Sequence, residues 1–133
     1  MKRLVMVAFV FICLFTIVGC SQKTKGAQLL KKGNVVNISV SSLPEEYNYI
    51  FNSEDSKKII DYISDLNLES KFEEDPNVYT GMTWVISIKY DDNETLTLYH
   101  FGNMFIRSEN GSWFKMNYDE ASRLDTLLNE LNK

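Results

Sequence analysis

Between Met82 and Met116 apolar and polar residues alternate, and short polar turns break the alternation into segments. A period of two is that of an extended chain with one face buried, because successive side chains point to opposite sides of a strand. Met82, Trp84, Ile86, Ile88 and Tyr90 mark one face of a long strand, and Asp91-Asp92-Asn93-Glu94 carries turn chemistry. In Thr95–Phe101 the residues Leu96, Leu98 and His100 alternate with Thr97, Tyr99 and Phe101. Gly102-Asn103 turns the chain, Met104–Arg107 forms a short strand, and Asn110-Gly111 is a hairpin signal with Trp113–Met116 as the returning strand. Connections this short join antiparallel neighbours, because a parallel pair needs a long crossover.

The flanking segments add two further strands and two helices. Val36, Ile38 and Val40 alternate with Asn37, Ser39 and Ser41, Leu43-Pro44-Glu45-Glu46 breaks the run, and Tyr47, Tyr49 and Phe51 alternate again. Ser53 reads as an N-cap, with Glu54 and Asp55 on the positive end of the helix that follows. Ile59, Ile60, Ile63 and Leu66 fall at helical spacing. Residues 69–81 have the composition of a loop. Asn117 with Glu120 reads as a capping box, ahead of a stripe of Tyr118, Ala121, Leu124, Leu127, Leu128 and Leu131. The order ββα-ββββα predicts an α+β fold over residues 34–133, a mostly antiparallel sheet packed against two helices as one domain.

The N-terminus carries a different kind of signal. Met1-Lys2-Arg3 is basic, Leu4 to Val18 is apolar, and Ile17-Val18-Gly19-Cys20 follows. As a helix the apolar run spans about 22 Å, short of the roughly 30 Å of a bilayer core. The four-residue motif resembles the lipobox of bacterial lipoproteins. That resemblance implies that residues 1–19 are a signal peptide and that Cys20 becomes the acylated first residue, carrying diacylglyceryl and palmitate-type chains. Residues 20–33 then read as the lipidated cysteine and a flexible basic tether. The expected location is the cell membrane, lipid-anchored on its extracytoplasmic face. Cys13 and Cys20 are the only cysteines, so none remains in the body for a disulfide, a zinc site or a nucleophile.

Charge is divided unevenly. Residues 20–33 hold Lys23, Lys25, Lys31 and Lys32 and no acid, a net of +4, whereas residues 34–133 hold 8 basic and 18 acidic residues, a net of −10. An acidic body of this kind argues against nucleic acid as a partner. His100 is the sole histidine and has no nucleophile elbow nearby. The clusters Glu73-Glu74-Asp75 and Asp91-Asp92-Asn93-Glu94 lack the spacing of a calcium loop. No cofactor, no metal and no catalytic residue is expected, and the chain does not read as an enzyme.

Aromatic side chains are what remains. Tyr79, Trp84, Tyr99, Phe101, Phe105 and Trp113 lie on or beside the 82–116 sheet. Tyr99 and Phe101 sit on the strand face opposite Leu96 and Leu98. If the leucines face the helices, these rings face outward or lie beneath the loop 69–81, which is then a lid or a plug. Tyr99, Phe101, Phe105 and Arg107 are therefore the candidate binding surface.

The stretch from Leu43 onward resembles a family of small lipoproteins of low-GC Gram-positive bacteria, a domain of unknown function. The residues that carry the resemblance are Ser42-Leu43-Pro44, Asp61-Tyr62-Ile63, Tyr79-Thr80-Gly81-Met82-Thr83-Trp84, Gly102-Asn103-Met104-Phe105-Ile106-Arg107 and Trp113-Phe114-Lys115-Met116. The family implies no catalytic residues. The expected role is that of a membrane-anchored binding or interaction module for a protein, peptide or glycan. The alternative is an immunity or inhibitor-type lipoprotein acting on an extracellular peptide or enzyme.

Overall fold

The computed structural model describes residues 23–43, 47–79, 81–102 and 104–131; the expected export signal and Cys20 lie outside the described residues. In chain order the strands are β1 (Lys23–Lys25), β2 (Val35–Leu43), β3 (Asn48–Ile50), β4 (Asn67–Glu69), β5 (Thr83–Tyr90), β6 (Thr95–Phe101), β7 (Phe105–Arg107) and β8 (Trp113–Lys115). The helices are α1 (Ser53–Asp65) and α2 (Tyr118–Glu130). Among the described residues the strands form one sheet in the order β1-β4-β8-β7-β6-β5-β2-β3, with every recorded pairing antiparallel. The chain is α+β, with a mostly antiparallel sheet and two helices, as the periodicity predicts.

The period-two pattern decides which face is buried. Ile38 and Val40 of β2, Trp84, Ile86, Ile88 and Tyr90 of β5, and Leu98 of β6 point to one side. They form a single core with Ile59 and Ile63 of α1 and Ala121, Leu124 and Leu128 of α2. Each fully buried branched aliphatic side chain contributes about 1.5–3 kcal/mol relative to exposure. The opposite, outer face of the central strands is half-buried or exposed.

Both helices begin on an asparagine. The N-cap of α1 is Asn52, one residue ahead of the expected Ser53, because the Asn52 side chain accepts the Asp55 N–H at 2.8 Å. Asn117 caps α2 by accepting the Glu120 N–H at 2.8 Å. Glu120 does not complete the capping box; its carboxylate accepts from the Asn67 side-chain amide at 3.0 Å instead. The Tyr62 hydroxyl donates to the Glu120 carbonyl at 2.7 Å, which ties α1 to the start of α2.

The basic segment expected as a tether is part of the fold from Lys23 onward. β1 pairs with β4, and the 3-10 turn Gly26–Leu29 docks against α1. The Gly26 N–H donates to the Leu66 carbonyl at 2.8 Å, and a Cβ at Gly26 would lie 1.7 Å from the Ile63 carbonyl oxygen, so only glycine fits. Leu29 and Leu30 pack on the core, and Lys31 pairs with Asp92 and Glu94. Two leucines needing burial and a lysine facing the acidic body pull the segment down. A composition read as tether-like does not reveal this, because the partners are about 35 to 60 residues away along the chain. Strands β1 and β4, three residues each, are too short to show a period.

Candidate functional site

The outer face has a regular floor. Strand register lines up Asn48, Ser41, Val85, Tyr99, Arg107 and Trp113 across six strands as one cross-strand row. A neighbouring row on the same face runs Phe101, Phe105, Lys115 and Glu69. On the other side Ile50, Ser39, Ser87 and Thr97 form a third row, largely of hydroxyls. Adjacent strands lie about 4.8 Å apart, so side chains in one row touch their neighbours.

Arg107 is the centre of this face. Its guanidinium carbon lies 4.2 Å from the Tyr99 ring centre and 5.5 Å from that of Trp113, the side chains that flank it in register. A cation within about 6 Å of two ring centres is held favourably by their quadrupoles. A pocket of about 260 Å³ opens here, lined by Leu43, Asn77, Thr83, Tyr99, Phe101, Arg107 and Trp113. Its rim is apolar: Leu43 is exposed, as are Val78 and Met82, the chain neighbours of Asn77 and Thr83.

Of the four candidate contacts named from sequence, Tyr99, Phe101 and Arg107 line this pocket and Phe105 does not. Phe105 is fully buried. The Phe72 and Tyr79 rings lie on it at 5.5 and 5.2 Å, with Trp113 edge-on at 6.5 Å. The segment 70–79 is thus a plug over Phe105 and stands across one end of the pocket. Glu74 pairs with Lys115, and the Asp75 carboxylate accepts from the Asn77 backbone and side-chain amides at 3.0 and 2.9 Å. Gly102 makes the close approach feasible: its φ is +58°, and a Cβ there would lie 3.0 Å from the Tyr79 Cβ. Three lining residues, Leu43, Asn77 and Thr83, are absent from the sequence-based set, because periodicity within one strand does not show which residues of other segments adjoin it. Trp113 was flagged only as one of the aromatic residues, although the Asn110-Gly111 hairpin places it opposite Arg107.

His100 points the other way, into the core. Its Nδ1–H donates to the Phe105 carbonyl at 3.1 Å. Its Nε2 lies 2.9 Å from Asp125 Oδ1 of α2, an ion-pair distance with the carboxylate off the line of a hydrogen bond. The ring therefore ties β6 to α2 and to β7 behind the pocket. A larger depression of about 420 Å³, lined by Gln28, Leu29, Leu96, Ser108, Glu109, Asn110 and Phe114, lies where the 3-10 turn meets the β7–β8 hairpin. Within it the Asn110 side chain accepts from the Ser108 hydroxyl and from the Ser112 N–H of the turn itself.

Among the described residues no group of three or more metal-ligating side chains converges, and no helix is long and apolar enough to cross a membrane. Comparison of the chain with protein-family models, with curated proteins and with solved structures finds no match.

Proposed function

We propose that the chain is a membrane-anchored extracytoplasmic binding module whose ligand lies on the open face of the sheet. The observation that carries this reading is the single-sided packing: α1 and α2 contribute to one core, while Tyr99, Phe101, Arg107 and Trp113 line a pocket on the opposite face. Exposed apolar and aromatic side chains around a polar anchor are the composition of a recognition surface. The lipobox-like motif at Cys20 supplies the anchor in this reading.

Trp113 reports on the pocket, whereas Trp84 is buried in the core. Titrating the full-length chain in mild detergent with solubilised cell-envelope peptides and glycans is expected to change Trp113 emission saturably. A Phe101→Ser variant with unchanged circular dichroism is expected to lose that response. If no envelope fraction changes the emission, or the Phe101→Ser variant responds as the parent does, the reading is wrong.

A further inference from the structure

Three cations of the described residues are half-buried: Lys31, Arg107 and Lys115. Lys31 holds Asp92 and Glu94, and Lys115 holds Glu74. Arg107 holds no carboxylate and donates no hydrogen bond to any described residue; its only recorded side-chain partners are the Tyr99 and Trp113 rings. The other cations without a carboxylate (Lys23, Lys25, Lys32, Lys71, Lys89 and Arg123) are exposed and solvated. A half-buried arginine that pairs with no carboxylate among the described residues is a candidate anion site. The guanidinium carbon lies 4.2 and 5.5 Å from the two ring centres, and a guanidinium carries five N–H donors in a planar fork that matches a carboxylate.

The surroundings restrict the anion further. The pocket, at about 260 Å³, is below the roughly 300–1,000 Å³ of sites that enclose a whole small molecule. It therefore takes the end of something longer. Asn77 of the plug lines the pocket, and strand register continues the outer face beyond it through Ser39, Ser41, Ser87 and Thr97. Leu43 and Phe101 offer an apolar wall to a terminal side chain. With the lysines of the folded basic segment included, the body from Lys23 onward has a net charge of −6, which disfavours polyanions. We infer that the open-face pocket binds the C-terminal end of a peptide, with the terminal carboxylate on the Arg107 guanidinium edge and the last side chain against Phe101 and Leu43. This inference rests on the open-face reading above and adds the identity of the recognised group.

The test uses acetylated tripeptides ending in Ala, Leu or Phe, each as free acid and as C-terminal amide, with acetate and inorganic phosphate as anions without a body. Binding to the full-length chain in detergent is measured by isothermal titration and Trp113 emission. At least one free acid is expected to bind about tenfold or more tightly than its amide. Arg107→Gln is expected to remove the difference between acid and amide, and Arg107→Lys to restore only part of it, since a point charge lacks the fork. Equal binding of acid and amide overturns the inference, as does phosphate binding as tightly as the best peptide or the absence of binding by every free acid. If an envelope glycan or neutral peptide still changes Trp113 emission through Phe101, the carboxylate inference fails alone. If nothing does, the open-face reading fails with it.

Discussion

The Tyr47 hydroxyl and the Ser42 Oγ are buried without a hydrogen-bond partner among the described residues, and burial pushes the Tyr47 phenol above its usual range. Both belong to the inner-face end of the sheet, where the Ser42 N–H donates to the Tyr47 carbonyl at 3.1 Å and the Tyr47 ring meets Trp84 edge-on at 5.7 Å. A buried polar group left unpaired costs about 1–3 kcal/mol. Tyr47→Phe removes the hydroxyl and keeps the ring contact, so urea denaturation is expected to show a gain of about 1 kcal/mol; a loss of that size would mean that the hydroxyl is satisfied. At this scale the alternation in β6 was a sound guide: Leu98 is buried and Tyr99 and Phe101 are half-buried on the other face. Phe105 was not legible in the same way. Its face follows from periodicity, but its burial depends on Phe72 and Tyr79, which reach it from a loop without a period.

The helices and the plug are the elements whose energetics can be separated. Leu128 is fully buried in the core, and Leu128→Ala is expected to cost about 2–5 kcal/mol. Asn117→Ala removes the cap of α2 and is expected to cost about 1 kcal/mol. Denaturation midpoints check both, and the cap value should be the smaller. The plug responds to pH through Glu74 and Lys115. The Lys115 side chain holds the Glu74 carboxyl below its ordinary value of 4.5, and Glu74 holds Lys115 above 10.5. A lowered carboxylate pKa stabilises the folded form above the ordinary glutamate value, and this is lost as pH falls through the folded pKa. A raised lysine pKa acts below the ordinary lysine value and is lost as pH rises through its own. Hydrogen exchange of amides 72–79, corrected for intrinsic rates, is expected to be slowest between these limits and to accelerate at acid pH. Lys115→Ala should give fast exchange at neutral pH, and a flat profile in the parent would show that the rings alone hold the plug. The Glu74–Lys115 pair joins residues 41 positions apart, so no sequence pattern announces it.

At the scale of the molecule, two expectations follow from the two cysteines. Cys20→Ala is expected to abolish fatty-acid labelling of the chain, and label retained by the variant would refute the anchor. The unfolding midpoint is expected to be the same with and without reductant, because no cysteine follows Cys20; a shift on reduction would reveal an intermolecular disulfide. The strands β2, β3 and β5 to β8 and the division of β5 and β6 into a core face and an outer face were determined by the sequence alone, because side-chain alternation and turn chemistry act between neighbours along the chain. The tertiary structure decided the rest. It set β2 beside β5 and folded the basic segment from Lys23 onto α1. It also laid residues 70–79 over Phe105 and left Arg107 beside two rings with no carboxylate partner among the described residues. Each of these rests on contacts between residues distant in sequence, whose energies depend on the closed sheet and on which partners remain unsatisfied once it has formed.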